Sequence, residues 1–179
     1  MATSTRLTIE DFEKLPDEAV KHRELVDGEL IDVSGNTGEH NLLRDLLISL
    51  LLPFVTQRAL GRVLTEQEYD FRGNAHGPDV SFFGSEKCEL FNRKRRVQRF
   101  VPDLAIEIVS QNDTFESLTK KARRYRDCGT AEVWILSIET RQAYLMSDRR
   151  NLILDENQEF SPESIPGFSI RLKELFDRI

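Results

Sequence analysis

The stretch that decides the fold is Leu104-Ala105-Ile106-Glu107-Ile108-Val109, an apolar strand pattern with one carboxylate in its middle. A helical pattern follows over residues 114–128, with Asn112 or Asp113 as the expected N-cap. A second apolar strand, 132–136, comes directly after this helix. The strand, helix and strand together predict a sheet that is covered by a helix on one face.

The elements on either side of this unit do not alternate strictly between strand and helix. Strands are predicted at 63–71, 79–83 and 142–146. Before them, a short helix is predicted over 8–13 with Thr8 as N-cap, and a hairpin over 23–33 with its turn at Asp27-Gly28. A leucine-rich helix follows after residue 42, and Pro53 bends or ends it. A loop over 84–99 and a closing helix near 172–178 complete the predicted elements. The predicted fold class is therefore α/β (α+β), a mixed central sheet flanked by helices with an N-terminal hairpin.

Length and composition indicate one globular domain over residues 1–179. The net charge of −6 argues against a histone-like protein held to nucleic acid by bulk charge, but it is compatible with a local basic patch. Two cysteines are too few for a disulfide framework and fit a reducing compartment. Residues 1–8 carry no signal-peptide stretch, and the longest apolar run, 46–54, is far shorter than a membrane span. We therefore expect a cytoplasmic protein with no membrane partner.

Glu107 is the most informative residue, because a carboxylate is costly to bury unless it is paired, protonated or bound to a metal. One interpretation places it on an edge strand facing water. In the other, Asp79 at the start of a neighbouring strand lies close enough for both carboxylates to share a divalent ion, since adjacent strands are about 4.8 Å apart. Asp103 lies about 13 Å from Glu107 along the strand and is expected to be a strand-entry residue.

The helix after Glu107 carries a lysine on the face that is expected to pack against the sheet. The residues of this face are Leu118, Lys121, Ala122 and Tyr125. Those expected to point toward solvent are Lys120, Arg123, Arg124 and Asp127. Lys121 is either a snorkelling lysine at the edge of the apolar stripe or an ammonium delivered toward Glu107. In the second case it could orient a water or offset the charge of a phosphate.

Several segments, spread in order over nearly the whole chain, resemble a known protein family. They are Glu24-Leu25-Val26-Asp27-Gly28-Glu29-Leu30, His40 before the leucine-rich helix, Gly77-Pro78-Asp79-Val80, residues 101–110, Lys121 through Tyr125, Cys128-Gly129, Glu132-Val133-Trp134-Ile135 and Ile165-Pro166-Gly167-Phe168. Together these segments resemble the Uma2 family, restriction-endonuclease-like proteins of the PD-(D/E)xK nuclease superfamily.

The resemblance implies a restriction-endonuclease-like fold and a Mg²⁺ (or Mn²⁺) site. Asp79 matches the motif aspartate and Glu107 the second carboxylate. Val109 stands where the simplest motif has its lysine, and in the Uma2-like pattern Lys121 on the following helix takes that place. Glu24 matches an acidic residue of the family's hairpin and is a candidate third ligand, direct or through water. A solvated Glu24 beside the turn is the alternative.

A cluster of positive charges stands out in a chain that is acidic as a whole. Its members are Arg93, Lys94, Arg95, Arg96 and Arg99. Such a patch could follow a DNA backbone, and a solvated loop is the other interpretation.

Three functional hypotheses follow. The first is a metal-dependent DNA endonuclease that hydrolyses phosphodiester bonds with Asp79, Glu107 and Lys121. The second is a catalytically inactive nuclease-fold module that binds DNA or protein. The third is an unrelated domain in which Glu107 merely faces solvent. A homodimer is also an expectation, because cutting both strands of a duplex commonly uses two sites.

Overall fold

The computed structural model describes residues 6–33 and 35–179. Residues 1–5, which belong to the segment expected to lack a signal peptide, lie outside the described part. The α-helices are α1 Ile9–Lys14, α2 Asp17–Val20, α3 Gly38–Gln57, α4 Phe115–Asp127 and α5 Leu172–Phe176. A 3₁₀ helix spans Ser85–Leu90.

The strands of the described chain fall into three sheets. They are β1 Arg23–Val26, β2 Glu29–Asp32, β3 Gly61–Thr65, β4 Glu68–Asp70, β5 Ala75–His76, β6 Val80–Gly84, β7 Val97–Gln98, β8 Leu104–Ile108, β9 Glu132–Ser137, β10 Gln142–Ser147, β11 Asn151–Leu154, β12 Glu159–Phe160 and β13 Ile170–Arg171. The central sheet has the order β11-β10-β9-β8-β6-β3, and a second sheet has the order β2-β1-β5-β4-β7. Strands β12 and β13 form a separate pair.

The central sheet is mixed, as predicted. Strand β8 runs parallel to β9 and antiparallel to β6, and the remaining pairs of this sheet are antiparallel. The parallel pair is joined by α4, because parallel neighbours need a crossover connection. The predicted hairpin is confirmed as β1 and β2, which form one edge of the second sheet.

Helices cover both faces of the central sheet, which confirms the predicted fold class. Helix α3 packs on one face together with α5, where Leu104, Ile106 and Ile108 of β8 are buried. Helix α4 packs on the other face, where Ala105 is buried. Since successive strand residues point to opposite faces, Glu107 is on the α4 face.

The single strand predicted over 63–71 is wrong. The chain divides there into β3 and β4, which belong to different sheets. Glu66, between them, has a left-handed φ of 52°, and its backbone N–H donates to the carbonyl of Pro78. This turn breaks the alternation that the sequence pattern suggested, because residues on either side of a left-handed position no longer share a straight strand.

Helix α3 does not end at Pro53, contrary to one of the expected outcomes. It continues to Gln57, with Leu51 and Val55 fully buried on either side of the proline. Burial of these side chains outweighs the hydrogen bond that a proline inside a helix removes. Leu42 and Leu52 of this helix are 55% and 46% exposed, so its apolar residues are not buried on all sides.

The N-terminus of α4 differs from both expected caps. Thr114 is the N-cap, and it forms a reciprocal capping box with Ser117. Asp113 instead accepts hydrogen bonds from the backbone N–H and hydroxyl of Ser110. Asp113 thus belongs to the turn before the helix, and the hydroxyl of Thr114 accepts from the backbone N–H of Ser117 as the cap.

The stretch 84–99 is more regular than the predicted loop, because it contains the 3₁₀ helix and β7. Within the described part of the chain, the longest helix is α3, and no helix has both the length and the apolar composition needed to cross a bilayer.

Candidate active site

The pairing of β6 with β8 brings the first two predicted site residues together. Val80 lies opposite Ile106 and Ser81 opposite Ala105. Continued by one residue, this register places Asp79 opposite Glu107, and opposed residues of antiparallel strands point to the same face. Asp79 Oδ2 accepts a hydrogen bond of 2.7 Å from the backbone N–H of Ile108.

Glu107 does not face water, so the edge-strand interpretation is wrong. Strand β8 lies between β6 and β9, and Glu107 is only 6% exposed. Tyr125 of α4 donates its hydroxyl to Glu107 Oε1 at 2.8 Å. Sequence reasoning placed Tyr125 on the correct face of the helix but did not identify it as a partner of Glu107.

Lys121 points into the same neighbourhood. Its Nζ lies 3.1 Å from Glu107 Oε2 and 3.0 Å from Glu24 Oε1. The side chain is anchored by two buried carboxylates instead of extending along the surface to bulk water. Helix α4 therefore delivers the ammonium to the end of the strand that carries Glu107.

Glu24 lies on β1 of the hairpin and is buried, so a solvated position beside the turn is ruled out. His76 Nδ1 is 2.7 Å from its Oε2, and the backbone N–H of Gly77 donates to Oε1 at 3.2 Å. Together with Lys121, these groups occupy both carboxylate oxygens. Glu24 thus joins the second sheet to the cluster on the central sheet.

Two histidines of the cluster were missed as site residues. His40, buried near the start of α3, has its Nε2 3.3 Å from Asp79 Oδ1. His76 is buried beside Glu24. Metal-ligand spacing gave no signal for either one, because each contacts a carboxylate that is remote in sequence. His76 lies three residues before Asp79 in the sequence, and this proximity alone does not indicate a site residue.

Arg124 corrects another expectation, since it does not point freely to solvent. Its guanidinium donates to Asn74 Oδ1 at 2.8 Å and approaches His76 Nε2 at 3.3 Å. It also forms an ion pair with Asp27 in the hairpin turn at 3.1 Å. Arg124 follows Lys121 by three residues, which places both side chains on neighbouring parts of the same helical face.

The electrostatics of the cluster follow from burial and from its excess of carboxylates. Burial raises the pKa of Glu107 to about 8, with further increases from Asp79 and Glu24, while Lys121 opposes the shift. Burial also acts to raise the pKa of Glu24, but the charge of Lys121 and the contact with His76 outweigh it and lower this pKa to about 2. Burial would lower the pKa of Lys121, yet Glu107 and Glu24 raise it well above its usual value.

The donor set fits a hard divalent cation with two protein ligands. Carboxylate oxygens are the ligands that Mg²⁺ prefers, and Mg²⁺ commonly uses one or two carboxylates together with waters and substrate phosphates. The raised pKa of Glu107 reflects repulsion from Asp79 and Glu24 in addition to burial, and a cation would relieve that repulsion. Within residues 6–33 and 35–179, no group of three or more His, Cys, Asp or Glu side chains is arranged to hold a metal ion.

These groups line a cavity of about 530 Å³ between the hairpin and α4. The side chains described above that line it are Glu24, His40, His76, Asp79, Glu107, Lys121 and Arg124. Ile31 and Val33 contribute an apolar wall from the hairpin. A small number of convergent polar groups in a concave pocket is the usual form of an active site.

The structure divides the five residues of the basic cluster. Arg93, Lys94 and Arg95 are exposed. Arg96 is engaged by Glu68 in a two-pronged contact of 2.5 and 2.9 Å, and Arg99 donates to Glu13 at 2.8 Å. Glu68 and Glu13 therefore offset the charges of Arg96 and Arg99. Nucleic-acid binding by this cluster stays a prediction.

Asp103 has the structural role that the sequence predicted. It accepts hydrogen bonds from the backbone N–H of Gly84 at 2.7 Å and from Lys87 Nζ at 2.5 Å. The contact with Gly84 connects the residue before β8 to the last residue of β6. Asp103 therefore stabilises the strand pair outside the cluster that contains Glu107.

Comparison with solved structures supports the fold. The structure is similar to the crystal structure of "a putative nuclease belonging to DUF820" from Anabaena variabilis ATCC 29413, with a TM-score of 0.85 and 20% identity over 96% of this chain and 98% of that one. The DrdV–DNA complex matches with a TM-score of 0.40 and 19% identity over 75% of this chain and 11% of that one, which is too low to establish a shared fold. No curated protein matches the chain.

Comparison with family models extends over most of the sequence. The model for Uma2, described as "Putative restriction endonuclease", matches residues 9–173. This range includes the hairpin, Asp79 before β6, Glu107 on β8 and helix α4. The chain therefore belongs to the Uma2 family of restriction-endonuclease-like proteins.

Proposed function

We propose that this protein is a metal-dependent DNA endonuclease that hydrolyses phosphodiester bonds. In this proposal Asp79 and Glu107 bind Mg²⁺ or Mn²⁺, and Lys121 assists the attack on the phosphate. Family membership supports the general class of nuclease. Metal dependence, DNA as the substrate and the roles of the three residues are parts of the proposal.

The observation that carries the proposal is the convergence of three groups from separate elements. Asp79 precedes β6, Glu107 lies on β8 and Lys121 lies on α4. The buried ion pair between Lys121 and Glu107, at 3.1 Å, would be an inefficient way to stabilise a protein of this size. Perturbed carboxyl and amino groups gathered in a cavity are instead typical of catalytic sites.

The surrounding residues hold the two carboxylates in fixed orientations. Tyr125 directs one oxygen of Glu107, and the N–H of Ile108 directs one oxygen of Asp79. His40 lies against the other oxygen of Asp79. Such neighbours keep the ligand geometry constant, which matters because a displacement of about 1 Å can cost a large part of the rate.

Lys121 places a positive charge of the protein's own at the site, in addition to the charge of any bound cation. An ammonium donates up to three hydrogen bonds, so it can remain with Glu24 while it donates to a phosphate oxygen or orients a water molecule. A divalent cation, when bound, would add charge stabilisation for the phosphate and make water more acidic. The exposed Arg93, Lys94 and Arg95 are candidates for contacts with the DNA backbone.

The proposal is tested by incubating the protein with supercoiled plasmid DNA in Mg²⁺, Mn²⁺ or EDTA. We expect nicked or linear product only with the metals. Asp79→Asn and Glu107→Gln should abolish it, whereas Glu116→Gln, which removes an exposed carboxylate in the first turn of α4, should retain it. Manganese binding, followed by electron paramagnetic resonance, should weaken in the same two variants.

Two outcomes would contradict the endonuclease proposal. Cleavage that survives Glu107→Gln would show that the carboxylate cluster is not the catalytic site. Retained DNA binding without Mn²⁺ binding and without cleavage would favour the inactive accessory module. Dimer formation, cytoplasmic location and the extent of a single domain over 1–179 stay predictions.

A further inference from the structure

A chain of hydrogen bonds extends from Lys121 away from the proposed metal ligands. Glu24 Oε1 lies 3.0 Å from Lys121 Nζ, and Glu24 Oε2 lies 2.7 Å from His76 Nδ1. His76 Nε2 in turn lies 3.3 Å from Arg124 Nη1. This series of hydrogen bonds begins and ends on α4, because Arg124 follows Lys121 by one helical turn.

Arg124 determines the protonation state of His76. A guanidinium nitrogen can only donate, so Nε2 of His76 must accept. The single ring proton of a neutral imidazole then resides on Nδ1, where it is donated to Glu24 Oε2. A doubly protonated ring would set an N–H of the imidazole against an N–H of Arg124. Burial, the largest influence on His76, also lowers its pKa and favours the neutral ring.

Two further residues, Asn74 and Asp27, hold the guanidinium of Arg124 in place. Asn74 Oδ1 accepts from Arg124 at 2.8 Å and from the backbone N–H of Asp27 at 2.7 Å. The carboxylate of Asp27 forms an ion pair with the same guanidinium. The hairpin turn, the segment before β5 and α4 therefore meet at one arginine.

The consequence for Lys121 is a second anchor that is independent of Glu107. If Glu107 shares its charge with a cation, its attraction for the ammonium weakens. Glu24, held in one rotamer by His76 and by the N–H of Gly77, would still keep Lys121 at the site. Without His76, one oxygen of Glu24 would lose its partner and the carboxylate could rotate.

We propose that His76 and Arg124 are positioning residues that hold Lys121 at the reacting phosphate through Glu24. The inference rests on the proposed function for its effect on rate. Its structural content, which is the Nδ1–H tautomer of His76 and the restraint of Lys121, does not depend on any activity.

The structural content is tested by nuclear magnetic resonance on the full-length protein labelled with ¹⁵N. We expect the ring of His76 to show a protonated Nδ1 and an unprotonated Nε2, whereas the exposed His22 should show averaged tautomers. Arg124→Met should shift His76 toward mixed tautomers. The Nζ signal of Lys121 should move in His76→Leu and remain close to wild type in His76→Asn, because asparagine retains an N–H donor near the position of Nδ1.

The effect on catalysis is tested with the same two variants. Loss of a residue that orients a catalytic group commonly reduces activity about 10- to 100-fold, so His76→Leu should lower kcat by that factor with little change in KM. His76→Asn should recover most of kcat. A merely structural role would instead reduce both variants according to their loss of folded protein, measured by circular dichroism.

The inference is overturned if His76 carries its proton on Nε2, or if His76→Leu changes neither the Lys121 signal nor kcat. Absence of cleavage by the wild-type protein with either metal would overturn the proposed function. In that case the tautomer and the Lys121 signal would still decide whether the chain of hydrogen bonds holds the lysine.

Discussion

Lys121 is the residue on which the charge balance of the cluster depends. It is the only ammonium within about 3 Å of both Glu24 and Glu107 in the described part of the chain. Its side chain is 19% exposed, so water screens these interactions only partly. Removing one partner of a buried ion pair is much more destabilising than replacing both, because the remaining charge is left uncompensated.

We expect Lys121→Met to lower the free energy of unfolding at pH 7 by about 3 kcal/mol in metal-free buffer. The double variant Lys121→Met/Glu24→Gln should regain part of this loss, because Glu24, whose pKa is lowered to about 2, is the carboxylate that stays ionised at pH 7 without its counter-charge. Urea denaturation of both variants and wild type measures the coupling. Lys120→Met, at an exposed position of the same helix, should stay within about 0.5 kcal/mol of wild type. A small effect for Lys121→Met would show that the cluster tolerates the uncompensated charge.

Glu24 gives a prediction for acid pH. Its pKa is lowered to about 2 in the folded protein, compared with an unperturbed value of 4.5. A group with a lowered folded-state pKa contributes stability that is present above its unfolded pKa and is lost as the pH falls toward the folded one. The difference in unfolding free energy between wild type and Glu24→Gln should therefore be constant above about pH 5 and decrease by about 3 kcal/mol between pH 5 and pH 2. A difference that does not change with pH would contradict the ionised state of Glu24.

At the scale of elements, α4 links the fold to the proposed chemistry. It joins β8 to β9, covers the face on which Glu107 lies and carries Lys121, Arg124 and Tyr125. Its beginning is fixed by the capping box of Thr114 and Ser117. The position of the lysine therefore depends on a helix whose first turn is stabilised by the side chains of Thr114 and Ser117.

We expect Thr114→Ala to reduce stability by about 1 kcal/mol, the usual effect of losing an N-cap. Thr8→Ala is a matched control, because Thr8 caps α1 with a similar capping box. Both variants should lose similar stability in thermal unfolding. Only Thr114→Ala should also broaden the signals of Lys121 in the magnetic resonance spectrum. Equal effects of the two variants on these signals would contradict the dependence of Lys121 on the cap of α4.

At the scale of the whole molecule, the cluster brings together two sheets and two helices. Glu24 and His76 come from the second sheet, and Glu107 comes from the central one. A cation that binds the folded arrangement has no equivalent site in the unfolded chain, because the ligands are then far apart. Binding to the folded state alone must therefore stabilise it.

We expect Mn²⁺ at 100 times its dissociation constant to stabilise the protein by about 2.7 kcal/mol. For a chain of this length this corresponds to a rise in Tm of roughly 5–10 °C. Differential scanning calorimetry with and without EDTA measures the shift. Asp79→Asn should abolish it and Glu116→Gln should preserve it, while an unchanged rise in Asp79→Asn would place the ion elsewhere.

Much of the architecture could be predicted from local patterns. The capped first helix, the Asp27-Gly28 turn and strands β8, β9 and β10 were predicted from periodicity and turn residues and are confirmed. The errors lie where long-range packing overrides a local signal. Helix α3 continues past Pro53 because the side chains on either side of it are buried. The segment predicted as one strand forms two strands in different sheets, because Glu66 has a left-handed backbone conformation.

The sequence by itself determined the face on which Lys121 and Tyr125 lie in their helix, because a helix repeats every 3.6 residues. That was enough to place Lys121 toward the sheet and to single out Asp79 and Glu107. Only the tertiary structure decided that His76 and Arg124 join them and that Glu24 contacts His76. Strand order and register set those contacts across 48 to 52 residues of chain, and no local period encodes that separation.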